Sequence, residues 1–314
     1  MEAKTYNLTA LTDIWTGDID GKPPGRLITT GLLGSIRWWF EVVVRGLGGS
    51  ACDPSAQHKT CQDDKHCVVC ELFGCTGWAR KFRFDVFDES GHPRQEQITK
   101  NTAFKIRFTP LRPIRDEEWA LLDLTLRLIA NYGALGGKTV YKPTAEKRRQ
   151  DASHHQDYGI VRIKQRPDVD SIGLNRVRAY VGGERWRGMD HTKFRWASLE
   201  YFWCIEGKTL ARQDTDSSSF NHVLGRKESK SDAKWLVNGN DATAQWLAGS
   251  TGNSKKVFSF RDPARTFGFV KPGRISHDDM LGRLKSVWPD MEDQDYVKGN
   301  AILDKLFKSA EVSS

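Results

Sequence analysis

No apolar run in this chain of 314 residues approaches the roughly 20 residues that cross a bilayer. One of the longest, Leu199 to Ile205, is broken by Glu200. The N-terminal stretch MEAKTYNLTALTDIW has no basic segment leading into an apolar one, which predicts that no secretory leader is present and that the address is cytoplasmic. Disulfides are disfavoured there. No His-Glu-x-x-His, Gly-x-Ser-x-Gly or Gly-x-Gly-x-x-Gly pattern occurs, which disfavours zincin, α/β-hydrolase and dinucleotide-binding chemistry. Strict internal repeats and a low-complexity tail are also missing. Cysteine is scarce, at six, yet five of the six crowd between Cys52 and Cys75.

What is present describes a folded, basic protein. The hydrophobic share is 38% and the charged share 28%, with a mean hydropathy of -0.57, too apolar for wholesale disorder. At roughly 100 to 200 residues per domain, the length suits two modest domains. Lys and Arg number 48 against 40 Asp and Glu, a formal charge of +8, and the isoelectric point is near 9.1. Such a balance favours a polyanionic partner through counterion release, although solvated surface lysines give the same total. Eleven tryptophans are many for cores of this size, which leaves some for stacking on bases or for subunit contacts.

Periodicity orders the first half. Lys4 to Leu11 alternates with Tyr6, Leu8 and Ala10 on one face and predicts a strand. Leu33, Ile36, Phe40, Val43 and Leu47 recur at helical spacing, with Thr30 as N-cap and Gly46 as the stop. A loop-like insertion follows at about 46–78. Arg80 to Asp88 and Phe104 to Thr109 alternate and predict a hairpin whose polar face carries Lys81, Arg83, Lys105 and Arg107. Asp116 caps a second helix that ends at Gly133, and Gly159 to Arg166 supplies a last strand. The order strand, helix, strand, strand, helix, strand is that of a ferredoxin-like fold. The predicted class is α+β, with one such domain at 1–168; a second in tandem fits the remainder, 169–314, though periodicity alone does not establish it. In the second, Ala197 to Ile205 predicts a strand, Asp232 to Trp246 short helical pieces, Lys256 to Phe260 with Thr266 to Val270 a hairpin, and Ser276 to Val287 with Asp293 to Lys308 two helices. Gly182 to Met189 and Asp214 to Ser231 read as loops.

Three constellations bear on chemistry. Cys52, Cys61, Cys67, Cys70 and Cys75, with His58 and His66 among them, suggest zinc, because Cys67 and Cys70 form a Cys-x-x-Cys that presents two thiolates from one turn. The candidate ligands are Cys52, Cys61, Cys67 and Cys70; ordinary buried or free thiols and redox chemistry are the alternatives. Gly133 to Thr139, GALGGKT, imitates a P-loop but has too few residues before its Gly-Lys pair and follows a helix. What remains is a flexible loop with exposed amides followed by Lys138, Lys142, Lys147, Arg148 and Arg149, suited to a phosphate backbone or simply solvated. His154 and His155 are adjacent beside that basic loop, where one of them could serve a metal-independent ribonuclease as acid or base.

The runs TGLLGSIRWWFEVVVRGLGG (Thr30 to Gly49) and CVVCELFGCTGWARKFRF (Cys67 to Phe84), with LTALTDIWTGD (Leu8 to Asp18), resemble subunit one of the type III-B (Cmr) CRISPR effector complex, of the RAMP superfamily. The resemblance is close over about the first 90 residues. It implies two ferredoxin-like domains that bind CRISPR RNA and target RNA without cutting them, capping the complex at the 3′ region of the CRISPR RNA beside other Cmr subunits. No catalytic residue and no required cofactor follow from it. The candidate RNA-binding set is Gly34, Ser35, Arg37, Trp38, Arg45, Gly136, Gly137, Lys138, Lys142, Arg148 and Arg149; the resemblance implies Gly34, Ser35 and Arg37 at the first helix start, where free amides favour phosphate, and Gly136, Gly137 and Lys138 in the glycine-rich loop. Trp39 is assigned to the core and Trp38 to stacking or a subunit contact. The alternative within the superfamily is a CRISPR-RNA processing endoribonuclease using His154 or His155.

Overall fold

Alternation sets the first strand. In β1 (Lys4–Ala10) Tyr6, Leu8 and Ala10 are buried and their neighbours half-exposed, as the two-residue side-chain period requires. The computed structural model describes residues 2–17, 25–52, 61–62, 65–137, 143–149, 152–169, 172–188, 194–212, 218–226, 242–249 and 254–311, the side chains of His154 and of residues 308–311 excepted.

The helix that follows, α1 (Thr29–Gly46), buries Leu32, Leu33, Ile36, Trp39, Phe40 and Val43. Its N-cap is Ile28, two residues earlier than the Thr30 expected, and the Ile28 amide is held by Thr16 Oγ1 at 2.9 Å. Inside the stretch expected to be loop, α2 (Val68–Phe73) forms a short helix. β2 (Phe82–Phe87) and β3 (Ala103–Pro110) then pair antiparallel with Phe84 opposite Phe108. α3 (Asp116–Tyr132) starts after Arg115, not at a capping Asp116, because Glu118 reaches back to the Arg115 amide at 2.9 Å. β4 (Val161–Gln165) closes the sheet in the order β2-β3-β1-β4, the ferredoxin-like arrangement. Phe40, Phe73, Phe82, Phe108 and Tyr6 form a chain of ring contacts at 5.1 to 6.2 Å that ties α1 and α2 to the sheet. Each such buried ring contributes roughly 1.5 to 3 kcal/mol of hydrophobic free energy.

The second sheet repeats the plan. β5 (Phe202–Glu206) follows a 3-10 turn at Leu199–Tyr201, and β6 (Val257–Arg261), β7 (Ala264–Phe269) and β8 (Val297–Lys298) join it in the order β6-β7-β5-β8. Between β5 and β6 lie α5 (Ser219–Leu224), in a stretch expected to be loop, and α6 (Ala242–Ala248); α7 (His277–Val287), capped by Ser276 as expected, precedes β8. Trp203 packs in the core of this unit and stacks on Tyr296 at 5.5 Å. Gly268 sits opposite Trp203 in the ladder, and a Cβ there would stand 2.8 Å from the indole, so the strand needs glycine at that point.

The compact units are discontinuous in sequence: Met1–Lys138, Tyr158–Glu200 and Asn300–Ser314 form one, Thr139–Asp157 and Tyr201–Gly299 the other. A single cut after residue 168 would part α4 (Leu174–Val181) from α3, to which Arg176 is joined through Asp116 and Glu117 and Tyr180 through a 2.8 Å bond to Glu118. The last helix, α8 (Gly299–Glu311), falls almost wholly in the first unit. Among the described residues no helix is long and apolar enough to cross a membrane.

Candidate metal centre and nucleic-acid interface

Four cysteines of the first unit converge in its interior. Cys52 Sγ lies 3.3 Å from Cys61 Sγ, 3.7 Å from Cys67 Sγ and 3.6 Å from Cys70 Sγ, and all four sulfurs lie within 4.8 Å of one another. Thiolates around one tetrahedral zinc, at about 2.3 Å from the metal, stand about 3.8 Å apart. The donor set and its spacing therefore fit a single soft or borderline ion.

Backbone amides prepare these sulfurs for the charged form. Cys52 Sγ accepts from the Cys61 amide at 3.2 Å, Cys61 Sγ from the Cys67 amide at 3.1 Å, and Cys67, as the N-cap of α2, from the Cys70 amide at 3.5 Å. Crowding splits the titration of the set. The Cys61 thiol is pushed down, first by its hydrogen bond with Cys52, while hydrogen bonds within the cluster push the Cys52 and Cys70 thiols up. Four thiolates cannot coexist at this distance without a cation between them. Cys75 is half-buried and outside the quartet; Cys204 lies in the second unit, its thiol pushed up to about 12 by burial.

The arginines expected to clamp phosphate serve this cluster. Arg37 donates from Nη1 to Gly74 O at 2.9 Å and from Nη2 to Cys70 Sγ at 3.3 Å, and its Nε lies 3.4 Å from Glu41. Arg45, buried, donates to Cys52 O at 3.0 Å and Ala197 O at 3.2 Å and pairs with Glu41 at 3.4 Å. One face of α1 thus braces the loop that carries Cys52 and Cys70. Burial pushes the Glu41 carboxyl up against the opposing pull of Arg45 and Arg37. The sequence signal was the four-residue spacing of Arg37, Glu41 and Arg45, the pattern of ion pairs along a helix.

The remaining expected positions divide. Gly34 and Ser35 lie beyond the first four residues of α1, so their amides belong to the helical ladder and are not free for an anion. Ser35 Oγ instead accepts from the Gly136 amide at 2.9 Å, and the Gly137 amide donates to Trp15 O at 2.7 Å. The loop amides expected to be exposed are therefore engaged. Gly136 has φ +123° and would place a Cβ 2.6 Å from Trp15 O, so its glycine serves close backbone approach. Trp39 is buried and donates to Ala134 O at 2.9 Å, as a core residue should; Trp38 is half-buried and meets Trp39 edge-on at 4.9 Å. Lys138, Lys142 and His58 lie outside the described residues.

In the second unit, Arg148 is exposed on a 3-10 turn and Arg149 pairs with Glu146 at 3.1 Å, which also takes Arg212 at 2.9 Å. His155 is 6% exposed and its carbonyl accepts from Arg261 at 3.4 Å. On the hairpin of the first unit, Arg83, Lys105 and Arg107 remain on the outer face, but Lys81 does not. It is buried between Glu71 at 2.7 Å and Glu118 at 2.8 Å.

The pattern of β1, α1, the cysteine loop and the β2–β3 hairpin can now be set beside known proteins. Residues 7–141 match the model of the RAMP superfamily. The matched segment runs from within β1 through α3 and takes in the whole cysteine quartet. Across nearly the full length, the chain is similar to a chain of the type III-B Cmr-beta complex bound to cognate target RNA and AMPPnP, with a TM-score of 0.50 and 8% identity over 90% of this chain and 99% of that one. A second solved structure, apo Cmr1 from Pyrococcus furiosus, gives a TM-score of 0.48 and 10% identity over 91% and 97%. The likeness is one of fold. No curated protein matches the sequence.

Proposed function

We propose that this chain is a non-catalytic, RNA-binding subunit of a type III-B CRISPR ribonucleoprotein, at the end of the complex that holds the 3′ region of the CRISPR RNA. The RAMP match over residues 7–141 carries the reading. The formal charge of +8 supports it, as does a second ferredoxin-like sheet, since such sheets offer an open face and loops to a strand of RNA. Within this reading Gly34, Trp38, Lys138, Lys142, Arg148 and Arg149 remain the candidate RNA contacts, while Arg37 and Arg45 support the cysteine quartet. That quartet is proposed to hold a structural zinc, which would pin the long cysteine-bearing loop to α1. When bound, zinc would supply rigidity and no chemistry, because four thiolates leave no open coordination position for water.

The test is recovery of the tagged chain from cells that express a type III-B system, followed by sequencing of any small RNA retained at moderate salt. Guide-derived RNA ending at a common 3′ boundary, together with other effector subunits, is the expected result. A chain that emerges without RNA or partners, or that cuts repeat RNA by itself, overturns it.

A further inference from the structure

Beside the cysteine quartet, and wholly within the first unit, lies a cavity of about 520 Å³, within the range that accepts one small organic ligand. Two half-buried tryptophans line it, Trp78 and Trp186, each with a guanidinium on its face. Arg112 stands 4.2 Å from the Trp78 ring centre and Arg185 stands 4.0 Å from that of Trp186. Arg115 adds a third arginine to the wall. None of these residues belongs to the RNA-binding set read from the sequence.

The walls are fixed in advance of any ligand. Trp78 Nε1 donates to Glu71 O at 3.3 Å and Trp186 Nε1 to Tyr180 O at 2.5 Å, so both indoles are oriented and their polar edges satisfied. Trp78 also packs on His66 at 4.5 Å. The lining carboxylate Glu71 is taken up by Lys81 at 2.7 Å and by His66 Nδ1 at 3.2 Å, which leaves the three arginines to set the sign of the cavity.

We infer that this cavity receives one unstacked nucleotide of a single RNA strand, its base stacked on the tryptophan–arginine walls and its phosphates beside Arg112, Arg115 and Arg185. Flat aromatic and guanidinium surfaces grip any base, and arginine forks match phosphate oxygens. An acidic peptide would pair with the arginines but offers no flat ring to stack on the guanidinium planes that cover the two indoles. The inference rests on the RNA-binding reading above and names a place for the strand that reading leaves unassigned.

The experiment uses the full chain with zinc and an oligouridine of about ten nucleotides carrying one 5-iodouridine. Photocrosslinking should join the probe to a peptide containing Trp78 or Trp186. Arg185→Ala, at an exposed position, and Trp186→Ala should each weaken binding about tenfold, as loss of one stacked base does, with thermal unfolding of Arg185→Ala unchanged. If the probe binds the wild type but crosslinks elsewhere, and both variants bind as well as it does, the cavity assignment fails while the RNA-binding reading stands. If no RNA binds even at low salt, both fail. Competition by polyglutamate as effective as that by unlabelled RNA would make the cavity a general anion site and overturn the stacking role.

Discussion

Arg37 Nη2 stands 3.3 Å from Cys70 Sγ, closing a link between the first helix and the cysteine quartet. The same side chain, judged from its neighbours in sequence, was suited to an RNA phosphate. The two roles make opposite demands on mutation. Hydrogen bonds to a ligating sulfur typically change metal affinity about 10- to 100-fold when removed, whereas loss of a phosphate contact lowers RNA affinity and the salt slope.

Arg37→Ala is therefore expected to weaken zinc binding about tenfold and to leave the affinity for single-stranded RNA unchanged. Chelator competition and a salt titration of RNA binding check the two halves. A normal zinc affinity with a reduced salt slope would return Arg37 to the RNA. Elemental analysis of the wild type should find one zinc for each chain, and Cys61→Ser should lose it.

Glu118 has no solvent exposure and satisfies Lys81, the Arg115 amide and the Tyr180 hydroxyl at once. Glu118→Ala leaves a buried ammonium with Glu71 alone and strips the cap from α3, and should cost about 3 kcal/mol or more of stability. Urea denaturation measures this; a loss under about 1 kcal/mol, the scale of a surface ion pair, would contradict it.

Two glycines of the RNA-binding set read from the sequence should behave oppositely. Space is open around Gly34 on the exposed face of α1, so Gly34→Ala is expected to raise stability by about 1 kcal/mol. At Gly136 the positive φ and the nearby Trp15 carbonyl make alanine costly, by about 2 kcal/mol. Equal midpoint shifts in thermal unfolding would argue against both. Weakened RNA binding by the stabilised Gly34→Ala would locate the strand against that face of α1.

The second unit offers a pH test. Burial, with Lys271 nearby, pushes the Lys256 ammonium down to about 8, and the side chain is 3% exposed. Below pH 8 it is charged in both states and folding bears the full cost of burying it. Between about pH 8 and 10.5 the unfolded chain holds the proton that the folded chain has released, so stability rises with pH, by up to about 3 kcal/mol. Lys256→Met should be more stable at pH 7 and flatten the difference across that window. A parallel pair of pH curves would rule the effect out.

Local pattern made the sheet strands legible. Tyr6, Leu8 and Ala10, Phe82, Phe84 and Val86, and Phe104, Ile106 and Phe108 alternate so regularly that strand and inward face follow from the two-residue period alone. The short β8 was hidden because two residues carry no period, and the structure assigns it only through pairing with Trp203 and Cys204. Helices α2, α4 and α5, of six to eight residues, were likewise too short to establish helical spacing against polar, turn-rich surroundings.

The site was legible in its ligands and not in its supports. Cys67 and Cys70 declare themselves by spacing; Cys52 and Cys61 were named with them, but only the fold brings their sulfurs together. Arg37 and Arg45 are basic residues on a helix in either reading, and only distance decides whether they meet thiolate, carbonyl or solvent. His66, Trp78, Arg112 and Trp186 span more than a hundred residues of chain, so no window of sequence contains their cavity. Composition and periodicity, which act between neighbours, determined that the chain is basic and that its first half is an α+β sheet unit; the second unit followed from the resemblance and its sheet from the tertiary structure. The choice of which charges turn inward fell to the tertiary structure, because burial and pairing are fixed by residues far apart in sequence.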